Sequence, residues 1–173
     1  VIMESVTFNK MKKEGQYNPF ACNDRVVICS YNFAARKVAE IHSIPWDLVI
    51  MDEAHKLRNV YKSSNVMGHK LKKALSGVKK KLLLTATPLQ NNLMELYGLT
   101  SLIDDHVFGD AKTFREMYVS VTNTELRNKY LRKRLQNFCK RTLRSQVTEY
   151  VRYTNRIAIL QEYEPSPDEE NLY

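Results

Sequence analysis

Three short aliphatic runs constrain this chain more than any other feature: Val26-Val27-Ile28-Cys29, Leu48-Val49-Ile50-Met51 and Leu82-Leu83-Leu84. Each is apolar at every position. That suits strands covered by helices on both faces, not strands with one wet face. The stretches between them carry helical patterns. Asn32 to Ile41 reads as a helix that stops before Pro45. Ser63 or Ser64 is placed to cap a second helix, which runs to about Leu75 and ends at Gly77. Strand, helix, strand, helix, strand is the grammar of a parallel α/β sheet, whose chemistry collects at the carboxyl ends of its strands. Those ends here are Ser30-Tyr31, Asp52-Glu53 and Thr85-Ala86-Thr87-Pro88, and all three are polar.

Beyond Pro88 the pattern turns helical. The segment from Leu93 to Ile103 is apolar almost all round, which predicts a buried helix. Phe114 and Tyr118 mark a short helix after Asp110, and a longer one is expected from Thr124 to Phe138 with Leu126, Tyr130, Leu131 and Leu135 facing inward. Alternation at Ile157, Ile159, Gln161 and Tyr163 suggests a strand, and Pro165-Ser166-Pro167 a final helical turn. The first residues read as a helix ending near Gly15, then a loop containing Pro19.

At 173 residues and 43% apolar content the chain can bury a core and is not a disordered tail. No apolar run approaches the eighteen or so residues of a membrane helix, and the charged first fifteen residues are unlike a secretory leader. Three cysteines, Cys22, Cys29 and Cys139, form no Cys-x-x-Cys pair, so a disulfide framework is not expected. The expected location is cytoplasmic, with the nucleoid, or nuclear.

Charge is distributed in blocks. Between Lys56 and Met94 there are nine Lys or Arg and no acid, and between Leu126 and Val147 eight more, again with no acid. Acids cluster near the end instead, at Glu162, Glu164, Asp168, Glu169 and Glu170. Basic blocks of this kind suit a face that meets phosphates, and the formal net charge of +8 favours an anionic partner.

The strongest chemical signal is Asp47-Leu48-Val49-Ile50-Met51-Asp52-Glu53-Ala54-His55. An apolar strand ends in two adjacent carboxylates, which is the arrangement a nucleotide hydrolase needs. Asp52 can hold Mg²⁺ through its water shell, because Mg²⁺ dehydrates reluctantly. Glu53 can orient and deprotonate the attacking water. The second signal is Leu82 to Asn92. There Thr85 and Thr87 bring hydroxyls to a strand end within reach of His55 or a neighbouring carboxylate. Pro88 fixes the turn, and the amides of Gln90 and Asn91 can read phosphate or sugar.

Together these segments resemble motifs II and III of the superfamily-two helicase-like ATPases. Asp52-Glu53-Ala54-His55 looks like the Walker B box, and Thr85-Ala86-Thr87-Pro88 looks like the coupling motif. The continuation from Leu89 to Tyr97, with Asn59, is similar to the Swi/Snf type of DNA translocase. Val27 to Tyr31 resembles that family's motif Ib strand, which faces nucleic acid. Phe108-Gly109, Phe114, Tyr118, Phe138 to Val147 with Arg141, and Tyr163 to Tyr173 follow in the family's order. The resemblance implies a RecA-like parallel sheet flanked by helices with a helical C-terminal extension. It implies ATP and Mg²⁺ as cofactors, double-stranded DNA as partner, and no membrane association. It further implies Asp52 and Glu53 as catalytic residues, with Asp52 the metal residue. His55, Thr85, Thr87 and Gln90 would couple, and Ser30, Tyr31, Asn59 and Asn91 would contact nucleic acid.

Three departures qualify the match. The five glycines, Gly15, Gly68, Gly77, Gly98 and Gly109, include no Gly-x-x-x-x-Gly-Lys phosphate loop. Ala86 stands where Swi/Snf members carry Gly, and Lys140-Arg141 stands where they carry paired arginines. The expectation is an incomplete lobe: an internal piece of a larger motor, nearly inactive alone, which works in cis with a second RecA-like lobe. The expected division is residues 1–104 as partial lobe one, 105–155 as its helical extension, and 156–173 as closing strand and linker. Two alternatives remain, a strand-separating RNA or DNA helicase lobe and a non-enzymatic basic module that binds nucleic acid or a protein partner.

Overall fold

The computed structural model describes residues 1–23, 26–142 and 159–162. The chain divides into two units, Val1–Arg134 and Leu135–Tyr173. The first contains helices α1 (Ser5–Lys13), α2 (Tyr31–Arg36) and α3 (Val38–His42), strand β1 (Val49–Met51), helix α4 (Val66–Ala74), strand β2 (Lys81–Leu83), and helices α5 (Leu93–Ile103), α6 (Ala111–Phe114) and α7 (Thr124–Leu135). It is thus helix-rich around a small parallel sheet.

Strands β1 and β2 pair in parallel with Val49 opposite Lys81, Ile50 opposite Leu82 and Met51 opposite Leu83. The third expected strand is reduced to a single parallel bridge, Ile2 to Ile28, made by Met3 N–H to the Ile28 carbonyl at 2.7 Å and Ile28 N–H to the Val1 carbonyl at 2.9 Å. Only one face of these strands is covered. Val27, Cys29, Val49, Met51 and Leu83 pack against the core, while Ile2, Val26, Ile28, Leu48, Ile50, Leu82 and Leu84 are all exposed. The alternation follows from the two-residue period of a strand. Fully aliphatic runs nevertheless lack a second covering layer within the described residues. Burial pushes the Cys29 thiol up, as suits an inert core cysteine.

The core holds two aromatic groups. Phe8, Phe20, Phe33 and Trp46 meet with ring centroids 5.9–6.3 Å apart. Tyr97, Phe108, Phe114 and Tyr118 meet at 5.0–5.6 Å. Helix α5 serves both groups, with Leu99 and Leu102 in the main core and Tyr97 against Phe114. Its expected burial is observed, for Met94, Leu96, Leu99, Thr100, Ser101 and Leu102 are all buried.

Several local expectations are corrected. The helix expected over 32–41 breaks at Lys37 (φ −119°, ψ 38°), whose N–H turns to the Ala34 carbonyl in a tighter loop at 3.0 Å. The cap of α4 is Asn65, whose side chain accepts the Gly68 N–H at 2.9 Å, and not Ser63 or Ser64. Along α7 only Leu131 is buried, while Leu126 and Tyr130 are exposed, because this helix is basic round most of its circumference. Asp110 caps α6 as its position suggests, accepting the Lys112 and Thr113 amides at 2.9 and 3.0 Å. The helix then widens into a π turn over Arg115–Val119 that carries buried Tyr118.

In the second unit, Phe138 and Cys139 turn back to the Leu135 carbonyl. Residues 159–162 form no strand, with Ile159 and Leu160 exposed. Ile157, Tyr163 and Pro165 to Pro167 lie outside the described residues.

Candidate functional site

The polar strand ends come together because β1 and β2 run in parallel and finish level. Beyond Met51, the Leu84 N–H donates to the Met51 carbonyl and the Ala54 N–H donates to the Leu84 carbonyl, both at 2.9 Å. The Asp52-Glu53 turn is thereby stitched to the residue before Thr85. Both carboxylates emerge into solvent. Asp52 Oδ1 accepts the Glu53 N–H at 2.9 Å. Glu53 adopts the left-handed conformation (φ 51°, ψ 43°), the one non-glycine residue with positive φ among those described. A side chain in that region costs about 1–2 kcal/mol. The chain then enters a 3₁₀ turn, Ala54–Leu57, anchored by fully buried Ala54 and Leu57.

His55 Nδ1 lies 3.0 Å from Glu53 Oε2, at ion-pair distance but out of line for a hydrogen bond, and is shielded from water. The histidine therefore faces Glu53, and no hydrogen bond joins it to Thr85 or Thr87 among the described residues. Thr85 Oγ1 instead accepts the Thr87 N–H at 3.2 Å, which shapes the turn before Pro88.

Tyr31 reaches the same place from α2. Its hydroxyl donates to the Asp52 carbonyl at 2.6 Å. Burial, then the negative charges of Asp52 and Glu53, push its phenol up to about 12. Tyr31 therefore stays a protonated donor at any physiological pH. Ser30 caps α2, its hydroxyl accepting the Phe33 N–H at 3.2 Å. Asn59 is half-buried just past the 3₁₀ turn.

Gln90 and Asn91 are exposed, but their backbone is held from below. Glu95 Oε2 accepts the Gln90 and Asn91 amides at 2.8 and 3.2 Å, and Glu95 Oε1 pairs with Arg58 Nε at 3.7 Å. Glu95 is only 2% exposed. Burial alone raises its pKa. The two amides, the Arg58 charge and the Asn91 side chain outweigh that, leaving the carboxyl below its ordinary value. Gly98, one turn further on, lets α5 touch this region, for a Cβ there would lie 2.0 Å from the Arg58 carbonyl oxygen. The sequence motifs assign no role to Arg58 or Gly98, and none to Glu95 although it lies within the Leu89 to Tyr97 continuation. One signal could have found them, since Glu95 is the lone charge in the apolar run from Leu93 to Ile103. Arg58 thus belongs to the fold and not to the free basic surface. Lys81 is likewise drawn in, with Nζ 3.4 Å from the Ile103 carbonyl, while Lys56, Lys62, Lys70, Lys73, Lys79 and Lys80 remain exposed.

No group of three or more His, Cys, Asp or Glu among the described residues could cage a metal. The donor set, two adjacent exposed carboxylates, suits Mg²⁺, which keeps several waters and takes one or two carboxylates plus phosphate oxygens.

These features coincide with a match along nearly the whole chain. The SNF2-related domain family matches residues 2–173, and the chain belongs to it, as a region of a Swi/Snf-type superfamily-two ATPase. Among similar proteins, the ISWI chromatin-remodeling complex ATPase ISW1 of Saccharomyces cerevisiae is 33% identical over 129 residues, covering 73% of this chain and 11% of that protein. The DNA repair and recombination protein RAD54B of Gallus gallus is 35% identical over 95 residues, 54% of this chain and 10% of that one. The TATA-binding protein-associated factor mot1 of Schizosaccharomyces pombe is 33% identical over 96 residues, 54% and 5% respectively. The chain thus spans about a tenth or less of the length of these relatives. No helix among the described residues is long and apolar enough to cross a membrane.

Proposed function

We propose that this chain is the later part of the first RecA-like lobe of a double-stranded DNA translocase, and that the intact motor couples Mg-ATP hydrolysis to movement along DNA. The observation that carries this reading is the Asp52-Glu53 pair, exposed at the tip of a parallel strand that packs one face on the core and tied through Ala54 and Leu84 to the Thr85-Thr87 turn. Asp52 would hold the hydrated metal, which supplies charge neutralisation on the phosphates when bound. Glu53 orients the attacking water and accepts its proton, with His55 Nδ1 3.0 Å from its carboxylate. Thr85, Thr87 and Gln90 lie in the adjoining turn and loop, where a change on one side reaches the other. Asn91 and Asn59, with Ser30 and Tyr31 at the start of α2, would meet the nucleic acid.

The reading of an incomplete lobe rests on the sheet. Parallel strands are ordinarily buried on both faces, yet Ile28, Ile50, Leu82 and Leu84 are bare. Further strands and helices of the parent motor, including a phosphate loop, would cover them. Residues 1–104 would be the partial lobe, 105–155 its extension, and 156–173 the way to a second lobe that supplies arginine fingers.

The test is steady-state ATP hydrolysis by the intact motor with and without duplex DNA. Stimulation by DNA is expected, and Glu53→Gln should reduce turnover by roughly 10²- to 10⁴-fold while ATP still binds. Turnover near the unaltered rate in that variant removes Glu53 from its role. Complete lack of hydrolysis by the intact wild type returns the chain to a nucleic-acid-binding module.

A further inference from the structure

Besides the acidic pair, the site region contains one more carboxylate, and it does something different. Glu95 is buried on α5 and spends both oxygens on two separate loops. Oε2 takes the amides of Gln90 and Asn91. Oε1 takes Arg58, the residue that closes the 3₁₀ turn begun by Glu53. Gly98 holds the same helix directly against the Arg58 backbone. One rigid helix thus grips the turn that follows the catalytic pair and the loop that follows the threonine turn. A carboxylate so buried is costly unless every oxygen is used, and here both are. Helix α5 needs no charge for its packing, since its other buried positions are apolar or small.

We propose that Glu95 is a positioning residue of the motor, a clamp that makes the Gln90-Asn91 loop and the turn after Glu53 move as one body. DNA contact at the loop is then felt at the catalytic pair. The inference rests on the translocase reading above and adds the element that carries its coupling. Glu95 touches neither nucleotide nor DNA. Its effect passes through the two amides and the Arg58 guanidinium.

The experiment uses the intact motor and measures the ratio of DNA-stimulated to DNA-free ATPase, the DNA concentration for half-maximal stimulation, and the melting temperature of the same samples. Glu95→Leu fits the apolar surroundings but offers no acceptor, whereas Glu95→Gln keeps an acceptor oxygen of the same size. Glu95→Leu is expected to lower the stimulation ratio by about 10-fold, and Glu95→Gln, whose single acceptor oxygen can serve only one of the two loops, by about 3-fold, the scale of coupling carried by a packed polar network. A merely structural role would move the melting temperature and leave the ratio alone. A folded Glu95→Leu variant with the wild-type ratio overturns the proposal. Should that variant not fold, Arg58→Leu decides, since it leaves the amides held but releases the turn. It should lower the ratio by about 3-fold or more, and an unchanged ratio overturns the proposal equally. A wild-type motor that shows no stimulation sinks the translocase reading and this one together. A stimulated wild type with an equally stimulated variant sinks the clamp alone.

Discussion

Glu53 and Glu95 carry the same carboxylate under opposite conditions. The Glu53 side chain is 56% exposed, sits on left-handed backbone and has His55 Nδ1 beside it at 3.0 Å. Glu95 is 2% exposed, lies in regular helix and has its oxygens occupied by two amides and an arginine. The exposed glutamate is held by its backbone, which is stitched to the neighbouring strand, so its side chain is free for chemistry. The buried one is held by its side chain, so it can fix other residues but cannot react. Local strain at a solvent-facing acid and full satisfaction of a buried one are what set the proposed reactive carboxylate apart from the proposed clamp.

The sharpest way to break this comparison is to remove the surface on which the buried network rests. Gly98→Val places side-chain carbon where the Arg58 carbonyl already stands, and we expect a loss of about 3 kcal/mol or more in chemical denaturation. Unchanged stability would mean that α5 does not press on the turn. Glu95→Ala comes next. It strands two amides and a guanidinium, and should cost about 2 kcal/mol, whereas Glu53→Ala, at the surface, should stay within about 0.5 kcal/mol of wild type. Equal losses at the two positions would erase the distinction.

Acid sharpens the contrast further. Because the folded-state pKa of Glu95 lies below its ordinary value of 4.5, its ionised form contributes stability that is fully present above that value and lost as pH falls through the lower folded pKa. Denaturation series from pH 7 to pH 3 should therefore fall more steeply for wild type than for Glu95→Gln. Parallel slopes would show that the carboxylate is not held in its charged state. One substitution should act with the opposite sign. Glu53→Gly relieves the left-handed backbone and should raise stability by about 1 kcal/mol while abolishing hydrolysis by the intact motor. A destabilised Glu53→Gly would remove strain from the account of this turn.

Much of this was legible in advance, and the failures have local causes. The runs around Val49 and Leu82 became β1 and β2, and the apolar segment from Leu93 became buried α5, since apolar runs and their lengths are properties of composition. Val26 to Cys29 is as aliphatic as the others but forms only one bridge, to Ile2. A strand needs a partner as well as a sequence. Asn65 displaced Ser63 and Ser64 as cap, as neighbouring capping residues compete within one turn. Leu126 and Tyr130 marked an inward stripe on α7 that the described fold does not cover.

The site divided in the same way. Asp52, Glu53, Thr85 and Thr87 could be picked out because residues at the ends of parallel strands converge wherever such strands pair. The direction each side chain faces could not be read. Tyr31 turns to the Asp52 carbonyl, His55 to Glu53, and Arg58 inward to Glu95. Which residues are apolar enough to be strands, and which polar ones end them, could be read along the chain, because periodicity is a property of neighbouring residues. That a lone glutamate in an apolar helix holds two loops follows from packing in three dimensions. Its partners lie four, five and thirty-seven residues earlier in the chain, brought together by helix packing against a glycine.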